Sequence, residues 1–269
     1  VTEAGSTDTF TVVLNAQPVN DVVFNVTIAG DEATLSTATL TFTNGNWDTA
    51  QTVTVTGVDE SLVDGDQNST ITISVNDGSS DNNFDPLADQ TVTATTTDND
   101  VAGFTVAESG GGTSVTEAGS TDTFTVVLNA QPDSDVVLSV SSSDLGEVTA
   151  AMTLTFTNDN WNTPQTVTAT GSDDNLDDGD QTTNLSIAIN APSTDNKFDG
   201  VPAQIVEATT IDDDSASFSV EQTGGSTTVS EDETEDFFSV VLDVQPVASV
   251  LLRMTLSDNT ESLLAVSDL

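Results

Sequence analysis

Eighteen residues, VTEAGSTDTFTVVLNAQP at 1–18, recur letter for letter at 115–132, and this repetition constrains the fold more than any other feature. NGNWDTAQTVTVTG at 44–57 returns as NDNWNTPQTVTATG at 158–171, and DNDVAGFTV at 98–106 returns as DDDSASFSV at 212–220. A third copy opens with VSEDETEDFFSVVLDVQP at 229–246. Each pair is displaced by 114 residues, which reads as free of insertion or deletion. The 269 residues thus divide into a first unit at 1–100 lacking its first strand, a complete unit at 101–214 and a truncated unit at 215–269. We read the chain as a window on a longer tandem array in which neighbouring repeats of one chain are the main partners.

Within a unit the hydrophobic period is two. TFTVVL (9–14), DVVFNVTI (21–28), ATLTF (38–42), QTVTVTG (51–57), STITISV (69–75), QTVTATT (90–96) and GFTV (103–106) alternate or are β-branched. Asn, Asp, Gly and Pro clusters separate them, and no helical pattern intervenes. About seven short strands per unit predict an all-β fold: tandem seven-stranded Greek-key, immunoglobulin-like β-sandwiches in a linear array. The predicted core is Phe10, Val12, Leu14, Phe42, Trp47, Val53, Val55, Ile71, Ile73, Val75, Phe84 and Val92, with equivalents one repeat later.

Composition narrows the chemistry. There are 45 acidic residues against two basic ones, Lys197 and Arg253, for a net charge of -43. Such a chain repels itself unless cations screen it. Nucleic acid and anionic membrane both require a basic patch, and the sequence has none. No segment reads as a bilayer span or a signal peptide, although a leader can lie outside this window. With no Cys and no His, disulfides, thiolate or imidazole metal sites and His-based catalysis are all excluded. The paired carboxylates could serve a glycosidase, but catalytic acids need unlike environments and these repeat identically, so no enzyme is expected. The T-x-T runs suit a solvent-facing strand, and we do not read them as an ice-binding grid.

The acids are not evenly spread. GVDESLVDGDQ at 57–67 and GSDDNLDDGDQ at 171–181 hold four and five carboxylates, and further acids sit in VTE and in DND and DDD at the joints. TTTDNDVAGFTV passes from one unit into the next without a flexible linker. In a Greek-key sandwich these segments fall at strand ends and can meet at one pole. Unbalanced repulsion there would cost several kcal/mol at an effective dielectric of ~20. A hard cation reverses the sign of that cost. Several oxygen ligands with no nitrogen or sulfur donors suit Ca²⁺ best, with Mg²⁺ second. The spacing is not that of an EF-hand, because the Gly of DDNLDDGD falls one place late.

The VxE opening, an apolar-x-F strand before NxNW, a V-x-V-x-G-x-D-D/E turn, an E/D-G-D element and a closing D-D/N-D together resemble the Calx-β domain. That family occurs in sodium/calcium exchangers, in integrin β4 and in tandem arrays of secreted bacterial adhesins. The resemblance implies calcium ions at one pole near the next domain. By motif it implies Glu3, Glu117 and Glu231 as the VxE acids, Asp59 with Glu60 and Asp173 with Asp174 as the central pairs, and Asp64 and Asp178 as the following acids. It also implies the closing triplets Asp98, Asn99, Asp100 and Asp212, Asp213, Asp214, with Leu62 and Leu176 offering backbone carbonyls. Glu147 falls near a further family ligand, whereas the first unit has Glu32 nearby but Ala33 at the matching position. Gln67 and Gln181 stand where an acid is common, and Asp66 and Asp180 fit either a ligand or a turn role. The function this implies is a calcium-stiffened spacer in an extracellular or cell-surface adhesin or fibre. A subunit of a self-assembling extracellular filament of identical chains, and a calcium-sensing regulatory domain, are the alternatives.

Overall fold

The computed structural model describes residues 1–191, 195–232, 234–257, 260 and 262–264. The period-two runs of Thr, Val and Ile form strands because β-branched side chains fit a pleated, half-buried surface. The first unit contains β1 (Thr7–Val12), β2 (Val22–Ala29), β3 (Ala33–Leu35), β4 (Thr39–Phe42), β5 (Gln51–Gly57), β6 (Gln67–Val75) and β7 (Gln90–Thr96). The second contains β8 (Phe104–Glu108), β9 (Thr113–Thr116), β10 (Thr121–Leu128), β11 (Val136–Ser142), β12 (Val148–Thr149), β13 (Met152–Phe156), β14 (Gln165–Gly171), β15 (Gln181–Ile189) and β16 (Gln204–Ile211).

Residues 101–214 form a sandwich of two sheets, ordered β12-β14-β10-β8 and β13-β11-β15-β16-β9. Its nine segments occupy seven strand positions. β8 and β9 are halves of one opening strand, and β12 and β13 are halves of a middle strand, each passing from one sheet to the other. β9 runs parallel to β16, whereas β8 is antiparallel to β10. This is the Greek-key, immunoglobulin-like arrangement expected. The splits were not expected, since periodicity alone marks only GFTV as the opening strand. Gly110 and Gly111, at φ of 66° and 92°, break that strand where it changes sheets. The first unit repeats the plan with sheets β1-β5-β3 and β4-β2-β6-β7, and Thr2 makes a parallel bridge to Thr97 at the place of β9. In the third copy β17 (Phe218–Gln222) and β18 (Phe238–Leu242) pair in the register of β8 and β10.

Each sandwich has its own core. Phe124, Val126, Leu128, Phe156, Val167, Leu185, Ile187 and Phe198 are buried in the second unit, and Leu14, Phe42, Val53, Val55, Ile71 and Ile73 in the first. Phe10, Val12, Trp47, Val75, Phe84 and Val92 pack against the first core only partly buried. For Phe10 and Val12 the reason is visible. β8 pairs along β10 and covers its edge, but no described strand pairs along the same edge of β1.

The copies are not in strict 114-residue register, which corrects the sequence reading. Ala33 lies opposite Gly57, whereas Val148 lies opposite Gly171. The turn before β3 is therefore one residue shorter than its counterpart, and the link from β3 to β4 is one longer. By β4 the register is restored, with Leu40 and Leu154 both facing their β2 and β11 partners.

Candidate metal centre

Four chain segments meet at one pole of the first unit. Glu3 ends the short stretch that bridges to Thr97, and Gly57 lets it lie there. A Cβ on Gly57 would stand 2.1 Å from Thr2 O, and one on Gly171 would stand 2.0 Å from Thr116 O. Glu3 is completely buried although it is an acid. Its Oε2 accepts the Asn99 N–H at 3.1 Å, while Oε1 has no partner. Ligand oxygens of Glu3, Asp98 and Asp100 all lie within 4.8 Å of one another, as do those of Glu3, Glu60 and Asp64.

The loops are ordered by backbone donors that leave other oxygens free. Glu60 Oε2 accepts Ser61 N at 3.0 Å and Leu62 N at 2.7 Å, and its Oε1 is buried without a partner. Asp98 accepts Gly65 N at 2.7 Å and Asp100 N at 2.7 Å. Gly65 holds the tight E/D-G-D turn at φ 75°, a left-handed conformation that suits glycine. Asp64 Oδ1, Asp100 Oδ2 and Glu32 Oε2 are also buried and unpartnered. Buried polar atoms are normally paired, so five orphaned carboxylate oxygens at one pole point to a ligand.

The second unit repeats the group of Glu3, Asp98 and Asp100, and in its other group Glu147 takes part where the first unit has Asp64. Glu117 is 1% exposed, and its ligand oxygens group within 4.8 Å with those of Asp212 and Asp214 and with those of Glu147 and Asp174. Glu147 Oε2 and Asp214 Oδ2 are buried and unpartnered. Asp212 accepts Gly179 N at 2.7 Å and Asp214 N at 2.8 Å, and Asp174 accepts Leu176 N at 2.7 Å.

Burial and mutual repulsion raise the pKa of these groups. Burial pushes Glu117 up from 4.5 to about 7, assisted by Asp212, Asp174 and Glu147 and opposed by the Asp213 N–H. Glu3, Glu32, Glu60 and Glu147 are raised by the same desolvation, with neighbouring carboxylates adding to it. Asp100 and Asp214 are raised as well, by burial first and by surrounding aspartates second. Asp212 is lowered, because backbone N–H groups of Asp214 and Gly179 stabilise its charge. One cation acts on the first pole from a distance: Lys197, whose one ion pair among the described residues is with Asp133, also feels the charge of Asp64.

The remaining expected ligands lie around these poles rather than inside them. Asp59 and Asp173 are exposed and act on the poles through their charge, raising Asp100 and Asp214. Asp178 is exposed and raises Glu147. The side chains of Asn99 and Asp213 are not among the grouped ligands, and each residue contributes a backbone N–H to the buried glutamate. Glu231 is exposed and joins no such group among the described residues. Asp66 and Asp180 accept the N–H of Asp98 and Asp212 at 3.3 Å, which ties each D-G-D element to its closing triplet. Gln67 and Gln181 donate to the carbonyls of Asp64 and Asp178.

Glu32 is the residue that the sequence reading left in doubt. Glu32 O accepts Val58 N and Thr96 Oγ1, as Glu147 O accepts Ser172 N and Thr210 Oγ1. The shortened turn thus places Glu32, not Ala33, at the position of Glu147. A contrary case is Asp195, which reads as an ordinary loop acid but is 4% exposed and fully engaged. Its Oδ2 accepts Asp133 N and Ser134 N at 2.8 and 3.1 Å, and Oδ1 accepts Lys197 N at 3.0 Å. It is a staple of the turn, as Asp81 is in the first unit.

No protein-family model matches the sequence, and no curated protein matches it. The chain is similar in structure to CBD12 from CALX1.2, with 14% identity over 78% of this chain and 95% of that one at a TM-score of 0.34. It is similar to domains 1–6 of the surface layer protein SbsC, with 14% identity over 82% of this chain and 29% of that one at a TM-score of 0.35. The apo-form Calx CBD1 domain gives 15% identity over 41% of this chain and 98% of that one at a TM-score of 0.31. At these scores the likenesses carry no weight on function, and the chemistry of the poles is read from their own geometry.

Proposed function

We propose that this segment is a calcium-binding structural spacer of an extracellular or cell-surface protein, its sandwiches stiffened by ions held at the acidic poles. The carrying observation is the set of buried, unpartnered carboxylate oxygens around Glu3 and around Glu117. Glu3, Glu32, Glu60, Asp64, Asp98 and Asp100 would hold the cations of the first unit. Glu117, Glu147, Asp174, Asp212 and Asp214 would hold those of the second, with Asp178 beside them. Oxygen donors alone, and several of them, fit Ca²⁺ better than Mg²⁺.

The placement of the sites favours a spacer over a regulatory sensor or an enzyme. The group of buried glutamate and outer acids of the closing triplet recurs in both units, and the closing triplet leads straight into the next sandwich. Thermal unfolding in chelator, calcium and magnesium tests the reading. A hundredfold excess of free calcium over its Kd should stabilise by ~2.7 kcal/mol per site. That corresponds to a rise of roughly 10 °C for a unit of this size. Magnesium at equal concentration should protect much less. An unchanged melting temperature in calcium would remove the metal from the account.

A further inference from the structure

The loop that carries Glu60 is not held by its own sandwich alone. Gln131, in the turn between β10 and β11 of the following unit, donates its N–H to Ser61 O at 2.6 Å and accepts Val63 N at 3.4 Å. These two bonds form a parallel bridge centred on Leu62 and leave the Leu62 carbonyl outside the bridge. The arrangement recurs one unit later, where Gln245 N donates to Asn175 O at 2.7 Å and bridges Leu176. On its other side the same loop orients the pole. Ser61 gives its N–H to Glu60 Oε2 and its carbonyl to Gln131, so one residue touches both the buried acid and the next sandwich.

The turn that reaches across is itself held by its own unit. Gln131 Nε2 donates to Asn158 O at 3.1 Å, and buried Asp195 accepts the N–H groups of Asp133 and Ser134. Lys197 pairs with Asp133 beside it. We propose that the Ala130–Gln131–Pro132 turn, and its copy around Gln245, is a latch that positions the acid loop of the preceding unit. Each divalent-cation site is thereby preorganised by the unit that comes after it. Ordering a loop before a ligand arrives strengthens binding by removing that ordering cost from the binding step. This inference rests on the calcium reading.

Backbone amide signals of Gly65 and Gly179 report the two poles, since each donates to the Asp that closes its cluster. In the full chain, calcium titration followed at both glycines gives one midpoint per site. Gln131→Pro deletes the bridging N–H and should weaken the Gly65 midpoint about tenfold while leaving Gly179 in place, a change of ~1.4 kcal/mol. Gln245→Pro should do the converse. Gln17→Pro is the control, because Gln17 makes the same side-chain bond to Asn44 O at 3.1 Å but bridges no acid loop among the described residues. Unchanged midpoints in both latch variants, or equal shifts at both glycines in both, would overturn the latch and leave calcium binding intact. If calcium moves neither glycine in the parent chain, the metal reading falls and the latch with it.

Discussion

Replacing Glu117 with Gln should change the stability of the second unit in opposite directions with and without calcium. The side chain is 1% exposed, and burial beside Asp212, Asp174 and Glu147 raises it from 4.5 to about 7. At 1.36 kcal/mol per pH unit, keeping it ionised in the metal-free fold costs about 3 kcal/mol. The sign comes from linkage. The folded state binds this proton more tightly than the unfolded chain, so its contribution is fully present below pH 4.5 and is lost as pH rises through about 7. In chelator at pH 8, Glu117→Gln should therefore raise the melting temperature of the second unit by roughly 10 °C. At pH 5 in chelator it should do little, because the parent is already protonated. In saturating calcium at pH 8 the variant lacks a central carboxylate and should melt below the parent by a comparable amount.

The assay needs a probe of one unit. Trp47 and Trp161 lie in the first and second units, both partly buried against their cores, so a Trp47→Phe background makes fluorescence report the second alone. Without metal the parent should be more stable at pH 5 than at pH 8, since Glu3, Glu32, Glu60 and Glu147 are raised in the same direction as Glu117. In calcium that order should reverse. If Glu117→Gln shifts the melting temperature with the same sign in chelator and in calcium, the buried carboxylate is not a cation ligand and the reasoning is wrong.

The same geometry sets other outcomes. Asp178→Ala should lower the melting temperature in calcium, whereas Asp159→Ala, an exposed turn acid, should leave it within ~0.5 kcal/mol of the parent; equal losses would mean that the clusters are surface charge. Asp195→Ala should destabilise the second unit by about 2 kcal/mol with or without calcium, because it removes the buried carboxylate that accepts three backbone N–H bonds of the turn, and a loss in the second unit that appears only in calcium would contradict its assignment as a staple. Gly171→Ala should cost more than Gly179→Ala, since its Cβ would stand 2.0 Å from Thr116 O while nothing lies within 4 Å of Gly179; melting curves of the two variants decide this. Small-angle scattering should show a longer maximum dimension and a narrower distance distribution on adding calcium. The same change produced by sodium chloride at equal ionic strength would reduce the joint to charge screening.

The strands, the sandwich and most of the core were legible because period two and the repeated aromatics are local signals. The glutamate of the first pole was not. Aligning the copies on their longest identical stretches puts Ala33 opposite Glu147, and only the pairing of Ala33 with Gly57 and of Val148 with Gly171 exposes the one-residue offset. The glycine of V-x-V-x-G was the available anchor, because its close approach to the opening strand fixes the register there. The latch was beyond sequence reasoning altogether. AQP reads as a turn, and nothing local says that its backbone will meet a loop roughly seventy residues earlier in another sandwich.

Acid residues of one kind have opposite roles in this chain, and what separates them is the supply of N–H donors. Asp81 takes backbone N–H groups of Asn20, Asn83 and Val19, which lower its pKa and let it stay charged without a cation. Asp122 is lowered by the backbone N–H groups of Ser114 and Thr123 and by the Ser109 hydroxyl. Glu3 and Glu117 receive one backbone N–H each and face other carboxylates, so burial dominates and both are raised. Counting acids therefore says little about where a cation binds in a chain with 45 of them. Apart from Asp85 Oδ1, the buried carboxylate oxygens without a partner among the described residues belong to the acids around Glu3 and Glu117, at the poles that lead into the next sandwich. A cation held there would add attraction among carboxylates that otherwise raise one another's pKa.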